Sequence, residues 1–246
     1  MSEVLALIPA RGGSKSIPRK NIRSFAGRPL IAWSIAAGLA AESVRRVLVS
    51  TDDPEIAEIA RRCGAEVPFL RPESISQDNT PDLPVFQHAL QWLIDNQGYR
   101  PEIVVQLRPT SPLRRAWHID QAVYRLLERP EADAVRTVCL PFQNPFKMWQ
   151  IEPDGFMKPL LQVPPFREPY NLPRQLLPEV YWQTGYVDAA WSDTILEQDS
   201  MTGKRILPLV IPPEDWIDID SPDDWRRSER MLESGEITFD DLGFQA

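Results

Sequence analysis

A chain of 246 residues with a hydrophobic share of 43% can bury one substantial core, or a core with a small appended lobe, and one catalytic domain is expected. Its net charge of −8 argues against a nucleic-acid partner, because a phosphate backbone is bound by Lys and Arg clustered over a broad surface. No apolar stretch approaches the roughly 18 residues that span a bilayer, so no membrane partner is expected.

The opening MSEVLALIPARGGSK runs into a charged loop instead of a cleavage site, which makes the cytoplasm the expected compartment. Residues 4–8 form a continuous apolar run of strand length. A Gly-rich basic loop follows, then an apolar helical stretch over 29–41. Residues 47–49 repeat the strand signal, and the polar turn Ser50, Thr51, Asp52, Asp53 and Pro54 leads into a helix through 62. A helix over 81–96, a buried strand over 103–107 and a helix over 116–128 continue the alternation. Strands apolar on both faces and separated by helices predict an α/β fold: a mostly parallel, Rossmann-like sheet flanked by helices, with ligands at the carboxyl ends of the strands.

The texture changes from Pro141 to Pro178, where prolines and aromatics replace periodicity. Proline removes backbone donors, so this stretch is neither a regular helix nor a central strand and reads as an inserted arm or small lobe. Its aromatics and those just after it, Trp149, Phe156, Phe166, Tyr170, Tyr181, Trp182 and Tyr186, read as core or subunit interface. Strands are expected over 181–190 and 206–211. A last helix begins with Ser221 as cap and Pro222 in the first turn. The two cysteines, Cys63 and Cys139, lack partners at metal-ligand spacing and read as reduced and structural, and His88 and His118 receive no role.

Two constellations carry chemistry. The loop A-R-G-G-S-K-S-I-P-R-K-N over residues 10–21 follows the first strand directly. Gly12, Gly13 and Ser14 let backbone amides approach phosphate oxygens, while Arg11, Lys15 and Lys20 can neutralise the charge growing on a departing pyrophosphate. Arg19, Arg23 and Arg28 extend the same acid-free patch, which suits a compact polyanion such as a nucleoside triphosphate. The spacing is neither G-x-x-x-x-G-K-[ST] nor G-x-G-x-x-G. The second constellation is Asp218-Ile219-Asp220. On extended backbone the two carboxylates project to one side while Ile217 and Ile219 face the core, and such a pair invites a hard cation, Mg2+. Among weaker candidates, Asp52 and Asp53 could touch ribose or metal, or merely cap a helix. Arg108, Thr110, Ser111 and Arg114 lie at the same sheet edge, and Arg136, Lys147, Arg167 and Arg174 could grip a carboxylate.

Read together, LIPARGGSKSIPRKNI, STDD at 50–53, LRPE at 70–73, RPTSPLR at 108–114, NPFK at 144–147, LPRQLLP at 172–178 and IDID at 217–220 resemble the acylneuraminate cytidylyltransferase family, the CMP-sialic acid synthetases and their relatives. The match covers nearly the whole chain. The resemblance implies a single nucleotidyltransferase domain over 1–246, CTP and an acidic sugar as substrates, dependence on Mg2+, and a homodimer whose arm, residues 141–177, packs across to the other subunit. It places Arg11, Lys15, Lys20, Asn21 and Arg71 on the nucleotide, Asp218 and Asp220 on the metal, and Lys147, Arg174 and Gln175 on the sugar side. Two departures fall near the sugar pocket: Arg108 stands where the family has glutamine, and Tyr181-Trp182-Gln183-Thr184-Gly185-Tyr186 replaces R-x-N-G-A. The implied reaction is in-line attack by the anomeric hydroxyl of a keto-sugar acid on the α-phosphorus of CTP. No side chain stands out as general base. A sugar 1-phosphate acceptor, favoured by the extra charge of Arg108, and a catalytically silent nucleotide-binding assembly protein are the rival readings.

Overall fold

The computed structural model describes residues 2–236 and Leu242. The elements in chain order are β1 (Val4–Pro9), β2 (Ser24–Phe25), β3 (Arg28–Pro29), α1 (Leu30–Ala40), β4 (Arg46–Ser50), α2 (Pro54–Arg62), α3 (Asp82–Gln97), β5 (Ile103–Gln106), α4 (Ala116–Glu128), β6 (Ala134–Cys139), β7 (Trp149–Ile151), β8 (Met157–Pro159), β9 (Trp182–Trp191), α5 (Ser192–Leu196), β10 (Ile206–Val210) and α6 (Pro222–Glu233). Six strands form one sheet in the order β10-β6-β9-β5-β1-β4. Five run the same way, and β9 lies antiparallel between β5 and β6.

Both faces of the sheet are covered, as the continuous apolar strands require. Val4, Ala6 and Ile8 of β1 join one core cluster with Ile31 and Ile35 of α1, Ile56 of α2 and Ile119 of α4. Leu5 and Leu7, the alternate residues, join a second cluster with Phe86, Leu90 and Leu93 of α3 and Ile195 of α5. The result is a three-layer α/β/α domain. Strand β1 pairs with β4 on one side and β5 on the other, so the order of connection reverses there and a crevice opens at the carboxyl ends of β1 and β5.

One strand departs from the sequence-based expectation. Residues 134–139 form a central strand, β6, that the apolar pattern does not announce, because Arg136 and Thr137 interrupt it. The Thr137 hydroxyl is buried and satisfied by the Thr184 hydroxyl at 2.8 Å and the Val187 amide at 3.0 Å, partners that exist only once β9 lies alongside. The proline-rich stretch, expected to be neither a regular helix nor a central strand, folds a short β7–β8 hairpin outside the main sheet, whose Trp149 packs on Tyr170 with ring centroids 4.4 Å apart. Its outer surface leaves Phe142, Ile151 and Phe156 largely exposed, while Tyr186 is fully buried. Both cysteines are free thiols. No described helix is long and apolar enough to cross a membrane.

Candidate active site

A cavity of about 450 Å³ opens at the crevice, lined by the basic loop, by residues 71–85 and by the turn after β5. The basic loop leaves β1 at Ala10, whose amide donates to the Ser50 carbonyl, and it is folded by its own side chains. Asn21 Nδ2 donates to the Arg11 carbonyl at 2.9 Å. The Gly12 amide donates to Asp52 at 3.1 Å, and a Cβ at Gly12 would sit 2.8 Å from an Asp53 carboxylate oxygen, so only glycine fits against the start of α2. Arg19 holds a left-handed backbone (φ 54°), a strained conformation for a side-chain-bearing residue, immediately before Lys20 turns into the protein.

The cations of this loop are not equivalent. Arg11 pairs with Asp78 at 2.7 Å, and Lys15 pairs with the same carboxylate. Lys20 is buried and donates to the Ile219 carbonyl at 2.9 Å and to Asp220 at 3.2 Å. Arg19 turns away to Glu55, and Arg23 lies over the Trp225 ring. Arg71, buried in the cavity wall, sits 3.5 Å from Asp52. Asp53 caps α2, accepting from the amides of Glu55 and Ile56. Of the residues the sequence assigns to the nucleotide, Arg11, Ser14, Lys15, Lys20, Asn21 and Arg71 line the same cavity, and Gly12 and Gly13 do not.

The acidic segment meets this loop from the other side. Ile217 and Ile219 are buried in a third cluster with Ile17, Phe25, Leu113 and Trp225, and the Ile219 amide donates to the Thr110 carbonyl at 2.8 Å. The alternation read from the sequence therefore holds: anchored isoleucines leave Asp218 and Asp220 on the opposite side of the backbone. Burial pushes the pKa of Asp218 upward, the neighbouring Asp220 charge adds to this, and a hydrogen bond from Thr110 opposes it. One Asp218 oxygen is buried with no partner among the described residues. An orphaned carboxylate oxygen beside a second carboxylate is a donor set that fits a hard divalent cation.

The turn after β5 is held by Arg114, which is fully buried and donates to the Tyr186 carbonyl at 2.6 Å, the Ser34 hydroxyl at 2.8 Å and the Arg108 carbonyl at 2.8 Å. Burial lowers its pKa to about 10. The Arg108 side chain crosses the cavity wall to Asp82 at 2.7 Å, and Asp82 also accepts from Gln106 Nε2 at 2.8 Å. Beneath it lies Gly185 (φ 65°), where a Cβ would stand 2.1 Å from Arg108 Nη1. Lys147, Arg174 and Gln175 are not in this cavity. Arg174 and Gln175 line a separate hollow with Leu140 and Glu179, and Arg174 donates to the Pro141 carbonyl at 2.8 Å. Arg136 lies 3.8 Å from the buried Asp188. Two acidic cavity residues escaped the sequence reading, Asp78 and Asp82. Their signal is the polar S-Q-D-N-T-P-D run at 76–82, a turn composition placed directly before a helix.

Fold and site together define an α/β domain with a polyanion cavity and an acidic pair at the strand-edge crevice. The cytidylyltransferase family model matches residues 5–150. Over 231 residues the chain is 32% identical to CMP-N,N'-diacetyllegionaminic acid synthase of Legionella pneumophila, covering 94% of this chain and 96% of that one. Over 223 residues it is 32% identical to pseudaminic acid cytidylyltransferase of Campylobacter jejuni, covering 89% and 92%. Its fold is similar to that of CMP:2-keto-3-deoxy-manno-octonic acid synthetase solved with CTP, with a TM-score of 0.70 and 14% identity over 95% of this chain and 99% of the other. The chain belongs to the cytidylyltransferase family, as its motifs indicated, and is an enzyme of the CMP-sialic acid synthetase type.

Proposed function

We propose that the protein transfers CMP from CTP to an acidic keto-sugar of the nonulosonic acid class, releasing pyrophosphate and forming a CMP-sugar. The observation that carries this reading is the convergence of Arg11, Lys15, Lys20, Arg71 and Asp220 on one cavity at the crevice of the sheet. The names of the two relatives, both concerned with nonulosonic acids, support the acceptor class.

In this reading Arg11 and Lys15 exchange the Asp78 carboxylate for phosphate oxygens and neutralise the leaving pyrophosphate. Asp52 orients both the Gly12 amide and Arg71 toward the nucleotide. Lys20, fixed between Ile219 and Asp220, adds a positive charge that cannot swing away. The hydroxyl oxygen of the acceptor forms a bond to the α-phosphorus as the bond from that phosphorus to the bridging oxygen breaks. Asp218 and Asp220 would hold Mg2+, which when bound neutralises phosphate charge and acidifies a coordinated hydroxyl. Lys147, Arg174 and Gln175 lie outside the cavity of their own chain, so a role on the sugar side requires a second copy, consistent with the apolar surface of residues 141–177 and with a homodimer. The reading places the reaction in a compartment that supplies CTP, and the cytoplasm is the one we propose.

The test is pyrophosphate release from CTP, with Mg2+ present or chelated, across acidic keto-sugars and sugar 1-phosphates. Release that depends on Mg2+ and on a keto-sugar acid supports the reading, and release with sugar 1-phosphates alone would overturn it.

A further inference from the structure

We propose that Arg108, held in place by Asp82, grips the carboxylate of the acceptor and thereby selects an acid. The inference rests on the function proposed above and assigns the part of the substrate that Arg108 reads.

The argument begins with the acceptor. In a keto-sugar acid the attacking hydroxyl and the carboxylate sit on the same carbon, so the carboxylate must lie within a few ångströms of the reacting oxygen. The cation that receives it must therefore stand beside the acidic pair. Arg108 does: it lines the same cavity as Asp220, and Thr110, two residues on, hydrogen-bonds Asp218. The remaining cavity cations already have their parts in the function proposed above, on the nucleotide or the acidic segment. Lys20 is tied to Ile219 and Asp220, Arg71 faces Asp52, and Arg11 and Lys15 stand on the phosphate side with Asp78.

Arg108 also has donors to spare. Among the described residues its side chain donates to Asp82 alone, through Nη2. A guanidinium has five N–H donors in a rigid fork, so one edge bonded to Asp82 leaves another for a ligand carboxylate. Asp82 is itself fixed at the first residue of α3 by Gln106, which holds the fork before any ligand arrives. Gly185 makes the arrangement possible, because any larger residue there would occupy the space of Nη1. The role of Asp82 is positioning, and the contact belongs to Arg108.

The test compares a keto-sugar acid with its C1 carboxamide as competing ligands for wild type, Arg108→Gln, Arg108→Lys and Asp82→Asn. Wild type is expected to prefer the acid by about 10- to 100-fold, the range of a charge-assisted hydrogen bond. Arg108→Gln should reduce that preference to about threefold or less while the KM for CTP stays within about twofold. Arg108→Lys should retain part of the preference, which also covers the case in which the glutamine variant fails to fold. Asp82→Asn should raise the acceptor KM by about fivefold with the preference largely kept. An undiminished acid preference in Arg108→Gln, or its loss in Lys147→Gln or Arg174→Gln instead, would overturn the assignment to Arg108. Wild-type enzyme that releases pyrophosphate with no keto-sugar acid would instead overturn the proposed function itself.

Discussion

The ammonium of Lys20 donates to the Ile219 carbonyl at 2.9 Å and to the Asp220 carboxylate at 3.2 Å, tying the basic loop to an acidic segment about 200 residues later in the chain. The contact is buried and makes the two halves of the site one unit. Lys20→Met should therefore act on both stability and catalysis. Unfolding free energy should fall by about 2 kcal/mol, since a buried carbonyl loses its donor, and kcat should fall by about 100-fold as a fixed charge is lost. Denaturant titration and pyrophosphate release measure the two effects. Asp220→Ala, which keeps the Ile219 carbonyl bond, should spare stability while abolishing the response to added Mg2+. Near-normal turnover by that variant at saturating Mg2+ would falsify the metal assignment.

Arg114 is fully buried and reaches three acceptors on three parts of the fold: the Tyr186 carbonyl in β9, the Ser34 hydroxyl in α1 and the Arg108 carbonyl after β5. Arg114→Met keeps the bulk and removes every donor. A loss of about 3 kcal/mol or more is expected, because breaking a buried charged cluster from one side strands its partners. Urea unfolding followed by tryptophan fluorescence would reveal it, and a loss below about 1 kcal/mol would mean that the turn after β5 is held by other contacts.

His118 gives stability a defined pH dependence. It is buried beside the Tyr186 hydroxyl, 3.1 Å away, and desolvation lowers its pKa from 6.5 to about 4. The unfolded chain binds the proton more readily, so between pH 6.5 and pH 4 acid favours unfolding. Stability from this group is complete above about pH 6.5 and declines as the pH falls toward 4, by on the order of 2 kcal/mol. His118→Asn should flatten the fall in melting temperature between pH 7 and pH 5. An unchanged slope would assign the acid sensitivity to other groups.

The apolar surface of the inserted arm supplies a test of assembly. Ile151 and Phe156 are 77% and 74% exposed on the β7–β8 hairpin, away from the core of their own chain. On the homodimer proposed above, replacing both with aspartate should leave the melting temperature of the isolated subunit nearly unchanged and yield monomers where the wild type sediments as a dimer. If the double variant sediments like the wild type, the hairpin is not the contact between copies.

Much of this arrangement can be read from the sequence because it is local. The strand at 4–9, the Gly-rich loop and the capping Asp53 depend on neighbours within a few positions, and Ile217 and Ile219 reveal which way Asp218 and Asp220 must point. What stays hidden is long-range. Thr137 looks wrong for a central strand until Thr184 arrives beside it, and Arg108 looks like a free charge until Asp82, 26 residues earlier, takes one edge of it. Asp52 could be read as a ribose or metal ligand, yet it holds Gly12 and Arg71, a pairing that no spacing rule encodes.

The antiparallel strand β9 ties the root of the arm to the wall of the cavity. Its first residue, Trp182, follows the arm almost directly, and three residues on lies Gly185, the floor beneath Arg108. Extended backbone hardly stretches, and that distance is only about 10 Å. The backbone under Arg108 therefore cannot slide along the strand without carrying the root of the arm with it.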